Sequence, residues 1–287
     1  MSLLRKKKGV KPENSSITVR RMDFVFDEQV PRYWADNSPF LTHTLNALSA
    51  TFPVGERFFV DTVRHYRDRI SNPQLKKEVS AFIGQEAMHA KEHESYNDHA
   101  AAHGFDMAGI EAEIAGRIEF MKKNLSPERQ LAITCALEHF TAIMAEAMLT
   151  TPDMYEGFHP SIAKLWLWHA VEENEHKAVA FDVYQEQVGD YWIRVRAMAL
   201  TTFMFTFNQA RFQTRLMYED GQLLKPMEWI KGANRLWGRK GWFRKLIPAY
   251  LEYYKRDFHP WDSDTRELLE KWKAELKLDE QAIKKAA

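Results

Sequence analysis

The sequence contains few of the residues that make tight turns, with 12 glycines and 11 prolines among 287 residues. Because tight turns depend on these residues, their scarcity argues against an all-β or disordered chain. Only one cysteine, Cys135, is present, so no disulfide can form within the chain. A chain without disulfides favours a reducing compartment. The sequence therefore predicts a cytoplasmic protein built mainly from helices.

Net charge and long apolar runs are also missing. The 40 Lys and Arg residues balance the 40 Asp and Glu residues, so no overall field favours nucleic acid as a partner. The most apolar run, residues 197–207, is too short to cross a bilayer. The basic residues 1–16 lack the apolar stretch of a secretory signal, and we expect a short disordered arm there. No Gly-rich nucleotide-binding loop is present.

Helical patterning begins near Pro39 and continues almost to the C-terminus. Before it, residues 17–27 alternate apolar and polar side chains and predict a short extended segment packed on the body. The predicted helices cover 40–70 with an interruption at Pro53 and Gly55, 73–102, 107–124, 127–149, 160–188, 191–220, and a final charged helix capped by Ser263.

Two Glu-x-x-His motifs lie on the second and fourth predicted bundle helices. They are Glu86-Ala87-Met88-His89 and Glu173-Asn174-Glu175-His176. At 3.6 residues per turn, each motif places its Glu and His side chains on one helical face. A glutamate precedes each motif on the previous helix, with Glu56 30 residues and Glu138 35 residues upstream. These separations suit two helix hairpins joined by a long crossover, as in ferritin-like bundles.

This repeated pattern has a chemical reason. Carboxylates neutralise the charge of two adjacent metal ions and can bridge them, and imidazoles suit iron as terminal ligands. One such motif is weak, because exposed helices contain Glu-x-x-His pairs by chance, but two motifs with matching upstream glutamates are a stronger signal. Solvated helix faces are expected for Glu92, Glu94, Glu172 and Glu175. By helical phase, His65 and His139 are expected to be structural.

The motif order Glu, Glu-x-x-His, Glu, Glu-x-x-His resembles the ferritin-like di-iron carboxylate proteins over residues 40–190. The segments FPVGERFF, GQEAMHAKEH and HAVEENEHKAVAFD are more similar to the bacterial family described as predicted metal-dependent hydrolase, and FHPWD at 258–262 extends this likeness. The resemblance implies an all-α fold, a ferritin-like four-helix bundle with a long crossover and additional C-terminal helices. The predicted parts are an N-terminal arm with the extended segment (1–38), the metal-binding bundle (39–190) and a C-terminal helical extension packed on it (191–287).

The metal site also resembles that of p-aminobenzoate N-oxygenase, because His169 precedes Glu173 by four residues. The resemblance implies a ligand set of Glu56, Glu86, His89, Glu138, His169, Glu173 and His176. His93, four residues after His89, has no counterpart in that enzyme's pattern. It is left open whether His93 is a ligand, supports a ligand or lies at the surface.

Three functions are compatible with such a site. The leading hypothesis is an O2-activating oxidase or oxygenase that uses two iron ions, with Mn or a mixed Mn/Fe pair as other occupants. The alternative is a metal-dependent hydrolase that uses a metal-activated water. The third is non-enzymatic iron storage or sensing, which the long C-terminal extension disfavours.

The expected partners are a small organic substrate with an apolar portion and an external electron donor, without nucleic acid. Residues 225–256 carry nine Lys or Arg against two Glu, interleaved with aromatic residues. Such a stretch can lie on an anionic membrane, form a helical cover with a solvated basic face, or line an apolar substrate channel. A homodimer is also left open.

Overall fold

The computed structural model describes residues 17–283, and most of these residues are helical. The predicted arm at 1–16 lies outside the described residues. Within 17–283, β-structure is limited to two isolated bridges, between Arg20 and Ala282 and between Ala35 and Phe158. The predicted all-α fold class is therefore confirmed.

Eleven α-helices are present in the described part of the chain. They are α1 Pro39–Ser49, α2 Phe52–Arg64, α3 Pro73–Ala102, α4 Met107–Asn124, α5 Pro127–Thr150, α6 Pro160–His176, α7 Val179–Gln187, α8 Tyr191–Glu219, α9 Pro226–Trp237, α10 Trp242–Glu252 and α11 Arg266–Leu276.

The bundle is formed by two helix pairs. Helix α2 packs along α3 and α5 packs along α6, while contacts between α2 and α5 and between α3 and α6 close the core. Helix α4 runs between the two pairs as the long crossover, and α7 continues α6 after a break. This arrangement is the predicted ferritin-like four-helix bundle. The additional C-terminal helices pack on it, with α8 and α10 against α5, and α11 against α6.

Local sequence signals explain most helix ends. The side chain of Asn72 accepts hydrogen bonds from the backbone N–H groups of Gln74 and Leu75, and Pro73 occupies the first turn of α3. Pro53 lies in the first turn of α2, so the expected interruption between α1 and α2 is present.

Three predicted helix ends were wrong. The first region ends at Arg64 rather than at residue 70, and the fourth helix breaks after His176. Thr265, not Ser263, stands at the start of α11. The Ser263 hydroxyl instead donates to the Glu146 carboxylate, at 2.8 Å, because a cap and a tertiary partner compete for the same side chain.

Helix α5 is long and apolar enough to cross a membrane by length and composition. However, 72% of its most apolar window is buried inside the protein. A helix at the centre of a bundle must be apolar on most of its faces, so the same composition follows from its position in the core.

The basic stretch at 225–256 forms α9, α10 and the loop between them. Helix α9 packs on α1 and α10 packs on α5, while Met227, Ile230, Trp237 and Leu251 are exposed. Contact of this surface with a membrane stays a prediction, as do the three-part division of the chain and the homodimer.

The N-terminal extended segment buries three glutamates that were expected to be solvated. The guanidinium of Arg20 donates to Glu172 at 2.9 Å and to Glu175 at 2.7 and 2.9 Å, and all three side chains are buried. Buried Glu92 accepts from the backbone N–H groups of residues 23 and 24, at 3.0 and 2.9 Å. The expectation for these three was wrong, because their partners come from a segment distant in sequence. Glu94 does lie at the surface, paired with an arginine of α2.

We expect Arg20→Met to destabilise the protein by about 3–5 kcal/mol, because it leaves two buried carboxylates without their cation. Denaturant unfolding followed by circular dichroism measures this change. The matched control is Arg21→Met, since the neighbouring Arg21 pairs with Asp23 in solvent, and an exposed pair contributes about 0–1 kcal/mol. Equal unfolding free energies for the two variants would contradict the assigned role of Arg20.

Candidate metal centre

The structure brings together all seven side chains that the sequence predicted as ligands. They form three overlapping groups, namely Glu56, His89 and His169; Glu86, His89 and Glu173; and Glu86, Glu138 and His176. In each group the potential ligand atoms lie within 4.8 Å of one another, and every member is buried. Buried His and Glu groups able to hold a metal ion are therefore present. That these residues do bind metal stays a prediction.

The centre has two unlike ends, because each helix contributes at a different depth. Glu86 and Glu173 lie in the middle, with their carboxylates 3.1 and 3.6 Å from Nε2 of His176. One end carries two imidazoles, His89 and His169, and the other end carries His176 alone. A metal ion at the first end would have the more nitrogen-rich surroundings.

Several buried polar atoms of the cluster have no hydrogen-bond partner among the described residues. Both carboxylate oxygens of Glu56 and both of Glu138 are in this state. Burying an unsatisfied carboxylate is costly, and a metal ion would supply the missing partner. The residues present therefore fit a metal centre.

Burial shifts the protonation of these donors in the absence of metal. It raises the pKa of Glu56 and of Glu138 well above their usual range. Burial opposes charge on His89, but the nearby carboxylates of Glu172 and Glu86 outweigh it and raise the pKa of His89. Protons thus take the place of cations in the metal-free cluster, and metal binding would release them.

An outer layer of polar side chains orients the imidazoles. The Oε1 of Gln85 lies 2.9 Å from Nδ1 of His176, which leaves Nε2 facing the carboxylates. On the other side, Oε2 of Glu172 lies 3.2 Å from Nε2 of His89, so its Nδ1 faces the centre. Glu175 accepts a hydrogen bond from Gln85 at 2.7 Å. Such contacts fix the ring orientation of metal-binding histidines.

The sequence analysis missed these outer residues, and one signal could have found some of them. Residues 160–176 form one helix in which Glu172, Glu173 and Glu175 follow an apolar run. When charged residues occur on several faces of an otherwise apolar helix, some of these charged side chains are expected to be buried and paired with polar or oppositely charged side chains. No comparable signal singled out Arg20 or Gln85.

His93 contacts His169 rather than the carboxylates. Its Nε2 lies 2.8 Å from Nδ1 of His169, and its Nδ1 lies 2.8 Å from the Ser49 hydroxyl. Burial, together with the neighbouring imidazoles, lowers the pKa of both His93 and His169, so both rings are neutral. His93 is absent from the three groups of potential ligands.

The donors and acceptors in this series of hydrogen bonds can be deduced by starting from Asn97, the residue farthest from the metal centre. Asn97 donates through Nδ2 to the backbone carbonyl of Ser49 at 3.2 Å, so its Oδ1 accepts from the Ser49 hydroxyl at 2.7 Å. Ser49 must then accept from Nδ1 of His93, and Nε2 of His93 must accept from Nδ1 of His169. The Nε2 of His169 is therefore left with a lone pair, 2.9 Å from a carboxylate oxygen of Glu173. A proton on this nitrogen, or a metal ion bound by both atoms, would remove the repulsion between the two facing lone pairs.

Comparison with known protein families agrees with the metal centre. A family model described as predicted metal-dependent hydrolase matches residues 18–264, which include all seven donors. Neither the curated proteins nor the solved structures contain a match. The resemblance to this hydrolase family is thus confirmed, while kinship with the ferritin-like di-iron proteins stays a prediction.

We expect Glu86→Gln to remove bound metal, because it deletes a charged donor shared by two of the three groups. Elemental analysis of the purified protein measures metal per chain, and a chelator should lower the Tm of the native protein but not that of the variant. Glu94→Gln on the same helix is the control, since Glu94 is a surface residue. Unchanged metal content in Glu86→Gln would rule out this centre.

His93→Phe should weaken metal binding by about 10- to 100-fold without changing the number of ions at saturation, because it removes the acceptor that orients His169. Competition with a metallochromic chelator gives the affinity. The control is His139→Phe, which removes a buried histidine bonded to the carbonyl of Ala249 instead. Loss of one ion per chain in His93→Phe would show that His93 is itself a ligand.

Proposed function

Since the chain belongs to the predicted metal-dependent hydrolase family, we propose that it is an enzyme that hydrolyses a small organic substrate at this centre. The observation that carries the proposal is the position of the donors at the inner end of an apolar cavity, where Glu56 and Glu173 form part of the wall. A substrate held in the cavity would present its reactive bond to these carboxylates.

We further propose that the centre holds two ions, which the seven carboxylate and imidazole side chains would share. The three overlapping groups of donors support this assignment, since no single ion can use all seven side chains at once. Carboxylate and imidazole donors suit iron, manganese and zinc. Bound ions would supply Lewis acidity and lower the pKa of a water molecule.

The protein's own groups have two roles in this reaction. The aromatic and aliphatic walls of the cavity exclude bulk water, which strengthens electrostatic interactions inside. Glu56 has no hydrogen-bond partner on either oxygen, and burial raises its pKa. Once metal binding has released its proton, one carboxylate oxygen of Glu56 would take a proton from the attacking water and return it to the leaving group.

A second candidate, an O2-dependent oxidase or oxygenase, is favoured by the composition of the cavity wall. Near the donors the wall is formed by Phe52, Phe59, Phe140 and Met144. These side chains offer no hydrogen bond to the oxyanion that develops during ester or amide hydrolysis. An apolar wall of this kind suits oxidation of a hydrocarbon group, which would need an external electron donor.

The hydrolase and the oxidase can be distinguished by whether turnover requires O2 and by which metal supports it. The apoprotein is loaded with Zn(II), Mn(II) or Fe(II), and each form is assayed on a panel of esters and amides in air and under argon. Hydrolysis predicts turnover under argon and with redox-inert Zn(II). Oxidation predicts turnover only with Fe(II) in air, with consumption of O2.

We expect Glu56→Gln to lower kcat by about 10²- to 10⁴-fold, which is the usual contribution of a positioned proton acceptor. Glu94→Gln serves as the control that should retain full activity. No turnover with any metal, combined with many irons bound per chain after aerobic loading, would favour iron storage over both enzymes. Full activity of Glu56→Gln would contradict the role given to this carboxylate.

A further inference from the structure

A large apolar cavity leads from the surface to the metal centre. Its volume is about 860 Å³, and its walls come mainly from α2, α4, α5 and α8. This volume lies within the range of about 300–1,000 Å³ that is typical of pockets for small organic ligands. At the inner end the cavity reaches Glu56 and Glu173, so its contents would meet the donors directly.

Two helical glycines keep this space open. A Cβ atom added at Gly55 on α2 or at Gly116 on α4 would meet no atom within 4 Å, and both residues line the cavity. By contrast, a Cβ at Gly84 would come within 2.6 Å of Val19, and one at Gly232 within 2.0 Å of Phe40. Close packing thus explains the latter glycines but not Gly55 and Gly116.

Helix stability does not explain these two glycines either. Glycine inside a helix costs about 1 kcal/mol relative to alanine. At Gly55 and Gly116 no neighbouring atom packs against the position that a Cβ would occupy, so close packing does not offset this cost. What they leave free is room in the cavity, next to Glu56 in one case and near the surface in the other.

The outer end of the cavity is apolar as well. Phe120 on α4 and Leu200 and Met204 on α8 line it, although these side chains are 68%, 57% and 38% exposed. Large apolar side chains clustered at the surface often mark a binding site. Away from the metal centre, the charged side chains in the wall pair with their neighbours, since Arg117 donates to Glu113 at 2.6 Å and to Asn208 at 2.5 Å.

We infer that the cavity binds the hydrocarbon chain of an acyl or alkyl substrate, which enters between α4 and α8. The chain fills the space beside Gly116 and Gly55, and the functional group at its end reaches Glu56 and Glu173. The identity of the reacting group rests on the proposed function. Binding of the chain rests only on the cavity.

The test measures binding separately from turnover. Fluorescence of cis-parinaric acid, a conjugated long-chain fatty acid, reports occupation of the cavity in the metal-loaded and in the chelator-treated protein. Palmitate and methyl palmitate serve as competitors, and displacement by both shows recognition of the chain, whereas displacement by palmitate alone shows recognition of a carboxylate. Butyrate should not displace the probe, because its chain buries far less apolar surface.

Gly55→Leu and Gly116→Leu should each weaken binding of the probe by at least about tenfold, equal to about 1.4 kcal/mol. Both variants should keep or raise their Tm, since leucine has the higher helix propensity and the added Cβ meets no atom within 4 Å. The control is Ala108→Leu, at an exposed position of α4 outside the cavity wall. It should bind the probe like the native protein.

The outcomes distinguish this inference from the proposed function. If the probe binds and the glycine variants have a lower affinity for it, the inference stands even when no ester is hydrolysed. If esters are hydrolysed but butyrate and palmitate esters have equal kcat/KM, the hydrolase stands and the inference fails. Folded Gly55→Leu and Gly116→Leu variants that bind the probe like the native protein would also overturn the inference.

Discussion

The structure depends on how negative charge is balanced in the interior of the bundle. Glu172 and Glu175 are neutralised by Arg20 and Lys273, which lie 2.7–3.0 Å from them. The four inner carboxylates have no such partner, since within residues 17–283 their ion-pair contacts are with imidazoles alone. A bundle core tolerates buried carboxylates only when cations or protons accompany them. The inner cluster is therefore able to hold a cation that the chain does not itself provide.

The cations that neutralise the outer glutamates come from segments near the two ends of the described chain. Arg20 comes from the N-terminal segment and Lys273 from α11, and both contact Glu175. The backbone N–H of residue 283 also donates to the carbonyl of Val19, at 2.9 Å. Both ends thus close over the side of the bundle where Gln85 and Glu172 hold the imidazoles. The terminal segments belong to the support of the site rather than to its periphery.

The opposite side of the centre meets the cavity, and this asymmetry decides what the site can do. On the outer-layer side, Gln85 and His93 lie 2.9 and 2.8 Å from His176 and His169, and the Glu172 carboxylate lies 3.2 Å from His89. On the cavity side the carboxylates of Glu56 and Glu173 face apolar walls. Rigid support behind and an apolar space in front are the arrangement that an enzyme needs to hold a reactive group and keep water from it.

The sequence alone determined the helices and the inner donors, because both follow from short-range spacing. Residues 73–102 and 107–124 were predicted with the bounds that the structure has, since their caps lie within a few residues of each end. The Glu-x-x-His motifs needed only the helical repeat to place Glu and His on one face. Their convergence with Glu56 and Glu138 then followed from the hairpin lengths.

Only the tertiary structure decided which polar residues support the donors and where a substrate can enter. Arg20 and Glu175 are 155 residues apart, and no local pattern carries information about a partner at that distance. The role of His93 depends on Ser49 of α1 and His169 of α6, which approach it from two other helices. The cavity is likewise a property of the space between helices that are distant in sequence. Charge compensation and packing act between segments that are close in space but not in sequence, and they exist only once the chain has folded.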